Sequence, residues 1–271
     1  MKKSELRGRG GAGFPTGLKW SFTASLKSEK FIICNADEGE PGTFKDRIIM
    51  EGDPHKLIEG IIIASYAIDA NTAFIYIRGE YYNSIKTLEN AIENARKKGY
   101  LGEKILGTGF SLDLKIKTGA GSYVCGDETA LIESSEGKRG NPRIKPPFPG
   151  ISGLWNKPSV VNNVETLSNI PSIVLNGGIW YKKFGTKNSS GTKIFAVSGL
   201  VKKPGCYELP MGVTLRELIY DHAGGMKLNK KFKAALIGGS AAGAFLGKDK
   251  LDVKMSYEDL AEHNGVLGSG A

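Results

Sequence analysis

The sequence predicts an α/β protein: a layered domain of strands and helices, followed by a small β-grasp, ubiquitin-like domain. Three observations carry this reading. Short apolar runs alternate with helical periodicities as far as residue 175, and glycine-rich loops sit at strand ends. Beyond the polar stretch Lys187-Asn188-Ser189-Ser190-Gly191 the order changes to strand, strand, helix, strand. That stretch reads as a linker, which sets the domains at 1–187 and 188–271, the second cut short at its C-terminus.

The elements follow in chain order. Phe31-Ile32-Ile33-Cys34 is a short apolar run that reads as a buried strand, and it enters the acidic turn Asn35-Ala36-Asp37-Glu38-Gly39-Glu40. A helix is expected from about Pro54, with Leu57, Ile58, Ile61, Ile62 and Ala64 as a broad apolar surface. Ala73–Ile77 is a second strand. Tyr82–Lys98 is an amphipathic helix that buries Ile85, Leu88, Ile92 and Ala95 and stops at Gly99. Leu112, Leu114 and Ile116 alternate with polar residues, as in a half-exposed strand. A second glycine loop, Gly119–Thr129, leads into a short helix to Glu136, and residues 137–150 form an irregular cover. Asn162–Leu175 is expected to be one helix kinked at Pro171, with Val164, Leu167, Ile170 and Val174 on its buried side. In the second domain the strands are Thr192–Ser198, Cys206–Leu209 and Ala234–Ile237, with a helix over Thr214–His222.

At 271 residues the chain can bury a sizeable core, and 40% hydrophobic with 24% charged residues is ordinary for a globular protein. The net charge of +9 invites a nucleic-acid reading, but the lysines are scattered and no recognition motif accompanies them, so no nucleic-acid partner is expected. The three cysteines, Cys34, Cys125 and Cys206, are too widely spaced for a zinc knuckle or a redox pair. They fit a reducing, cytoplasmic setting. Leu57–Ala70 contains Glu59 and Asp69 and is too short to enter a bilayer as a span. The three histidines, His55, His222 and His263, have no nucleophile elbow or metal-ligand spacing beside them, which leaves hydrolytic and metal chemistry unsupported.

Candidate chemistry lies in three loops. Five glycines fall within Gly8–Gly17, in the stretch Arg7-Gly8-Arg9-Gly10-Gly11-Ala12-Gly13-Phe14 that continues to Lys19 and Trp20. Such a loop brings backbone N–H groups close to an anion, and its cations suit a phosphate; a flexible tail is the plainer alternative. The acidic turn Asp37-Glu38-Gly39-Glu40 repels phosphate but suits ribose hydroxyls and ring N–H groups; a solvated turn is its alternative. Around Tyr123, Gly126, Asp127 and Glu128 a flat ring and a helix start adjoin glycines, which is equally compatible with simple capping. Asn162 and Asn163 could bind a heteroaromatic ring or cap a helix. Cys34 and Cys125 read as small buried hydrophobes.

Together these segments resemble the NADH-binding FMN flavoprotein subunit of respiratory complex I, and the related flavin subunits of NAD(P)-linked hydrogenases and formate dehydrogenases. The resemblance rests on Arg7–Gly17, Asn35–Gly42, Gly119–Glu128, Lys145-Pro146-Pro147-Phe148-Pro149 and Val161–Thr166. It implies a Rossmann-like FMN and NADH domain over 1–187 and NADH oxidation by hydride transfer to flavin, with electrons passing on to iron–sulfur centres. FMN would be held by Gly8, Arg9, Gly10, Gly11, Ala12, Gly13 and Lys19, and by Asn35, Asp37, Glu38 and Gly39 at its isoalloxazine or ribityl part. Gly126, Asp127 and Val161 complete that set, with Asn162, Asn163 and Thr166 at the phosphate end. Phe14, Phe22 and Phe148 would stack the adenine of NADH, and Glu40, Tyr123, Glu128 and Lys145 would line its cleft. Glu128 would also repel the 2′-phosphate of NADPH. The resemblance further implies partner subunits, especially a thioredoxin-like [2Fe–2S] subunit, and a peripheral place on the inner face of a membrane. The family's helical domain with its Cys-x-x-Cys-x-x-Cys run for a [4Fe–4S] cluster is absent, so a fragment or truncated form is expected. Asp127 stands where complex I members often carry Glu. A non-catalytic β-grasp binding module is the reading from another class.

Overall fold

The computed structural model describes residues 1–240 and 244–271. Contacts divide the chain into two compact units, one of Thr16–Gly39 and Asp46–Leu175, the other of Met1–Pro15, Glu40–Lys45 and Asn176–Ala271. The division falls earlier than residue 187 and assigns the N-terminal glycine loop to the C-terminal unit.

The first unit is built on a four-stranded sheet of β1 (Phe31–Ala36), β2 (Thr72–Arg78), β3 (Asp113–Gly119) and β4 (Ser159–Asn163), in the order β3-β2-β1-β4. Every pairing is parallel, with Asn35 in register with Tyr76 on one side and Asn163 on the other. Ile32, Ile33, Cys34, Ala73 and Ile75 are fully buried, as central parallel strands covered on both faces require.

Helix α1 (Thr16–Ala24) precedes the first strand, and α2 (Lys45–Gly52), α3 (Pro54–Ile68), α4 (Tyr82–Lys97) and α5 (Glu128–Ser135) connect the strands. Asp53 caps α3 by accepting from the Lys56 N–H, and Pro54 occupies the first turn, where its missing donor is no loss. Gly60 lets α3 close onto α6 (Val164–Ser168): a Cβ there would lie 2.1 Å from the Leu167 carbonyl oxygen. The α4 prediction holds in extent, and Gly99 ends the helix at φ +72°.

The single helix expected over Asn162–Leu175 is corrected. Ser159–Asn163 is strand, because the apolar β-branched pair Val160-Val161 joins the sheet beside β1. Asn163 then caps α6 by accepting from Glu165 N (2.9 Å) and Thr166 N (3.4 Å). A break at Asn169 precedes α7 (Ile170–Asn176), so Pro171 stands in a first turn instead of kinking a helix interior. The break rotates the buried face, so that Ile173 is buried and Val174 is exposed.

In the second unit α8 (Gly178–Tyr181) precedes the hairpin of β5 (Thr192–Val197) and β6 (Gly205–Pro210), paired antiparallel. A capping box of Thr214 and Glu217 starts α9 (Leu215–Glu217), which continues as a π-helical turn to His222. The strand predicted at Ala234–Ile237 is present as β7, but it pairs with β8 (Ala244–Gly247) in a separate antiparallel sheet. The result is β-grasp-like, with Phe195, Met211, Leu215, Phe232, Leu246 and Met255 in one core. α10 (Tyr257–Glu262) follows, capped by Ser256. The polar stretch read as a linker is instead a packed turn. Ser189 and Ser190 are buried, and Ser189 Oγ donates to Glu258 (2.5 Å) and accepts from Tyr257 N (3.1 Å).

Candidate nucleotide site

All four strands of the parallel sheet end on one edge. The chain leaves β1 toward β2 on one side while β4 flanks β1 on the other, so the strand order reverses between β1 and β4. In open α/β sheets a ligand crevice forms outside the strand ends at such a switch point. Asn35 and Asn163 face each other across it in register.

The acidic turn continues β1 at this edge. Asn35 Nδ2 donates to the Gly126 carbonyl (3.0 Å), tying the strand end to the second glycine loop, and its Oδ1 accepts from Asp37 N (3.2 Å). Asp37 is 1% exposed, and neither carboxylate oxygen has a hydrogen-bond partner. Burial pushes its carboxyl up to about 6; Arg78 opposes this and Glu80 adds to it. Gly39 leaves room for that carboxylate, since a Cβ there would lie 2.9 Å from Asp37 Oδ2.

Glu38 has a different role. It sits at φ +42°, and its carboxylate accepts from Asp46 N (2.6 Å), Arg47 N (3.1 Å) and the Tyr81 hydroxyl (3.0 Å). It therefore caps the first turn of α2, and Arg78 Nη1 donates to its carbonyl (3.2 Å). Arg78 and Tyr81 were missed from the sequence. The available signal was an arginine closing an apolar strand, in Arg78-Gly79-Glu80-Tyr81.

The second glycine loop ends in the cap of α5. Asp127 Oδ1 accepts from Thr129 N (2.8 Å), Thr129 Oγ1 (2.6 Å) and Ala130 N (3.3 Å). Burial would raise this carboxyl; the bonds from Thr129 and Ala130, aided by Lys145, outweigh it and hold the group below the usual carboxylate range. Glu128 begins the helix and pairs with Lys19 (2.8 Å) and Lys145 (3.5 Å). Lys19 also donates to the Val161 carbonyl (2.8 Å), and Lys145 lies 3.5 Å from Asp127. Trp20 Nε1 donates to Asn162 Oδ1 (2.8 Å), while Asn163 Nδ2 donates to Asp46 (2.6 Å). Thr166 is fully buried, and Phe22, Tyr123 and Phe148 are exposed rings. Cys34 is a buried thiol pushed well up by burial and then by the charge of Asp46, in keeping with a packing role.

The residues expected in the first loop, with Phe14 and Glu40, belong to the other unit. There Arg7 and Pro15 bridge as a hairpin base, Gly8 N donates to Phe14 O (2.9 Å), and Gly10 and Ala12 are exposed. Arg9, expected at the cofactor through its charge, is fully buried. Its Nε donates to Thr192 O (3.0 Å) and its Nη2 to Ser190 O (2.6 Å) and the Tyr181 hydroxyl (3.1 Å), so the side chain anchors the loop. Glu40 accepts from Ser240 Oγ (3.2 Å). Among the described residues no helix is long and apolar enough to cross a membrane.

The parallel sheet, its switch point and the loops at its edge define a nucleotide-binding α/β protein. Residues 1–172 match the Nuo51 FMN-binding domain and residues 194–243 an SLBB domain, and the chain belongs to the Nuo51 FMN-binding family. It is 54% identical to an NADH-quinone oxidoreductase subunit of Rhizobium meliloti (strain 1021), over 99% of this chain and 64% of that protein. Identity to an NADH-quinone oxidoreductase subunit of Aquifex aeolicus (strain VF5) is 59%, over 100% of this chain and 62% of the relative. The NADP-reducing hydrogenase subunit HndC of Solidesulfovibrio fructosivorans is 53% identical, over 100% of this chain and 55% of its own length. Among solved structures, an NAD+-reducing [NiFe]-hydrogenase in the air-oxidized state superimposes with a TM-score of 0.87 at 42% identity, covering 99% of this chain and 44% of that one. The chain thus spans about three fifths of the length of the oxidoreductase relatives.

Proposed function

We propose that this chain is the FMN- and NADH-binding portion of a multisubunit NADH dehydrogenase, oxidising NADH and passing electrons to iron–sulfur centres of partner subunits. The observation that carries the reading is the Asp37 carboxylate, buried at the switch point with both oxygens unpartnered. An orphaned buried acceptor costs free energy unless a ligand donor reaches it, and flavin N–H and ribityl hydroxyl groups are such donors. The residues present therefore fit FMN.

When bound, FMN supplies hydride acceptance from a nicotinamide and release of single electrons. The chain's own residues bind, orient and screen. Asp37 would receive the flavin's donors, backed by Asn35, Gly39 and Gly126. Glu38 acts from behind, fixing the turn through its bonds to Asp46, Arg47 and Tyr81. Asn162, Asn163 and Thr166 are assigned to the phosphate end, Lys19 stands with the first loop, and Gly126, Asp127 and Val161 complete the cofactor set. The loop Gly8, Gly10, Gly11, Ala12 and Gly13 keeps its assignment to the cofactor through the family resemblance. For NADH, the exposed rings Phe14, Phe22 and Phe148 offer stacking faces, and Glu40, Tyr123, Glu128 and Lys145 offer polar contacts. Positioning two reactants in one site is the protein's main contribution to such a transfer.

The domains are assigned as 1–187 for FMN and NADH and 188–271 for the β-grasp-like module. A thioredoxin-like [2Fe–2S] subunit is the proposed neighbour, a [4Fe–4S] cluster is expected in the full-length family through the resemblance, and the assembly is placed at the inner face of a membrane. The similarity to a hydrogenase subunit and a hydrogenase structure supports a second reading, the flavin subunit of an NAD(P)-linked hydrogenase. The test is anaerobic addition of FMN and then NADH to the purified chain. A bound flavin spectrum bleached by NADH supports an NADH-linked flavin subunit and excludes the binding module, bleaching by NADPH alone favours the NADP-linked hydrogenase form of the second reading, and protein that stays colourless defeats both.

A further inference from the structure

Tyr257 lies outside both family matches, which cover residues 1–172 and 194–243. It begins α10 and meets the N-terminal glycine loop at three points. Its hydroxyl donates to the Gly8 carbonyl (2.7 Å). The Arg7 guanidinium sits 3.9 Å over its ring, while Arg7 Nε donates across the loop to the Gly13 carbonyl (2.6 Å). Gly13, at φ +64°, lies against the ring so closely that a Cβ there would come within 2.5 Å of it. One side chain thus touches Gly8 and Gly13, at the two ends of the segment Gly8–Gly13, and the cation that reaches across it.

α10 is itself held. Ser256 caps it, Ser189 Oγ accepts from Tyr257 N (3.1 Å), and Thr186 and Ser189 both donate to Glu258. A glycine-rich loop left alone would sample many conformations, and a ligand would have to order it at the cost of affinity. Ring, hydroxyl and guanidinium fix this loop beforehand.

We propose that Tyr257 is a positioning residue for the cofactor: within the unit that holds both, it clamps Gly8–Gly13 in the binding conformation, so that FMN affinity depends on a residue outside the FMN-binding domain match. This rests on the assignment of the loop to FMN made above.

The test uses the full chain freed of flavin. FMN is titrated into the parent, Tyr257→Phe and Tyr257→Leu and followed by flavin fluorescence, and amide hydrogen exchange is measured on the same flavin-free proteins. Removing both the hydroxyl bond and the cation–π contact should weaken FMN binding roughly tenfold in Tyr257→Leu. Tyr257→Phe keeps the ring under Arg7 and should recover most of that loss. In Tyr257→Leu the amides of Gly8–Gly13 should lose protection while those of Asp259–His263 keep theirs. Parental FMN affinity and parental exchange at Gly8–Gly13 in Tyr257→Leu would overturn the proposal, as would a Phe variant no better than Leu. If the parent binds no FMN the cofactor assignment falls; faster exchange at the loop in Tyr257→Leu would then still uphold the clamp, and unchanged exchange would remove it too.

Discussion

Replacing Asp37 by Asn should abolish one specific pH dependence of the flavin-free chain. In the folded protein burial raises this carboxyl from 3.8 to about 6, against the pull of Arg78. A native acid that holds its proton more tightly than the unfolded chain contributes stability that is present below the unfolded value. That contribution is lost as pH rises through the folded one. The shift of about two units corresponds to at most ~3 kcal/mol, and ~1–2 kcal/mol after allowance for solvent screening. Urea denaturation at intervals from pH 4 to pH 8 measures it. The stability of the parent minus that of Asp37→Asn should fall by that amount between about pH 4 and pH 6 and stay level above. Taking the difference cancels carboxyls such as Asp127 and Glu258, which are held low and would pull the opposite way. FMN adds a second signature. Its N–H and O–H donors favour the ionised carboxylate, so FMN affinity of the parent should strengthen as pH rises through 6, and that of Asp37→Asn should not. A parent-minus-variant stability difference that is flat across this range would refute the reasoning, because the carboxyl would then titrate as if exposed.

Three further outcomes follow from the same geometry. Gly60→Ala forces a Cβ to 2.1 Å from the Leu167 carbonyl oxygen, where backbone must move, so the urea midpoint should drop by the equivalent of about 2–4 kcal/mol; a loss under ~0.5 kcal/mol would mean that α3 and α6 are not closely packed. Glu128→Ala removes a carboxylate that neutralises Lys19 and Lys145; steady-state oxidation should show NADPH gaining on NADH, and no gain would separate Glu128 from discrimination against the 2′-phosphate. Cys34 should react with a thiol reagent only at the rate of global unfolding, since its thiol is fully buried and its ionisation disfavoured; rapid labelling in native buffer would contradict that.

The fold was legible wherever one period dominated a long enough run. The strands at Phe31 and Ala73 and the helix at Tyr82–Lys97 emerged from apolar spacing alone, because burial on both faces or on one stripe leaves a plain pattern. It failed where two patterns overlapped. Val160-Val161 followed by Val164 and Leu167 satisfies a helical period across a strand end, and only the pairing of Val161 with Ile33 separates β4 from α6. Likewise Lys187–Gly191 is polar in composition, yet Ser189, Ser190 and Gly191 within it are buried. The Ser189 hydroxyl bonds Glu258 and Tyr257, and the Ser190 backbone carbonyl accepts from Arg9, partners more than sixty residues away that no local window contains.

The candidate site divides along the same line. Glycines and exposed rings advertise themselves, because their use depends on what they lack or display. Carboxylates do not: Asp37, Glu38 and Glu40 stand within four positions of one another and have three unlike roles. Asp37 is buried without a partner, Glu38 caps α2, and Glu40 accepts from Ser240. The turn itself decides which is which. A left-handed residue at Glu38 reverses the chain immediately after Asp37, so alternate side chains no longer share a face as they would in a strand. The hydrogen bonds from Asp46, Arg47 and Tyr81 hold Glu38 in that conformation and offset its steric cost. A buried carboxylate kept in place by a strained neighbour and an arginine at the end of the adjacent strand is costly to maintain for packing alone. That is the physical reason for proposing that the cofactor's polar edge meets Asp37, with Glu38, Arg78 and Tyr81 as the frame that holds the carboxylate there.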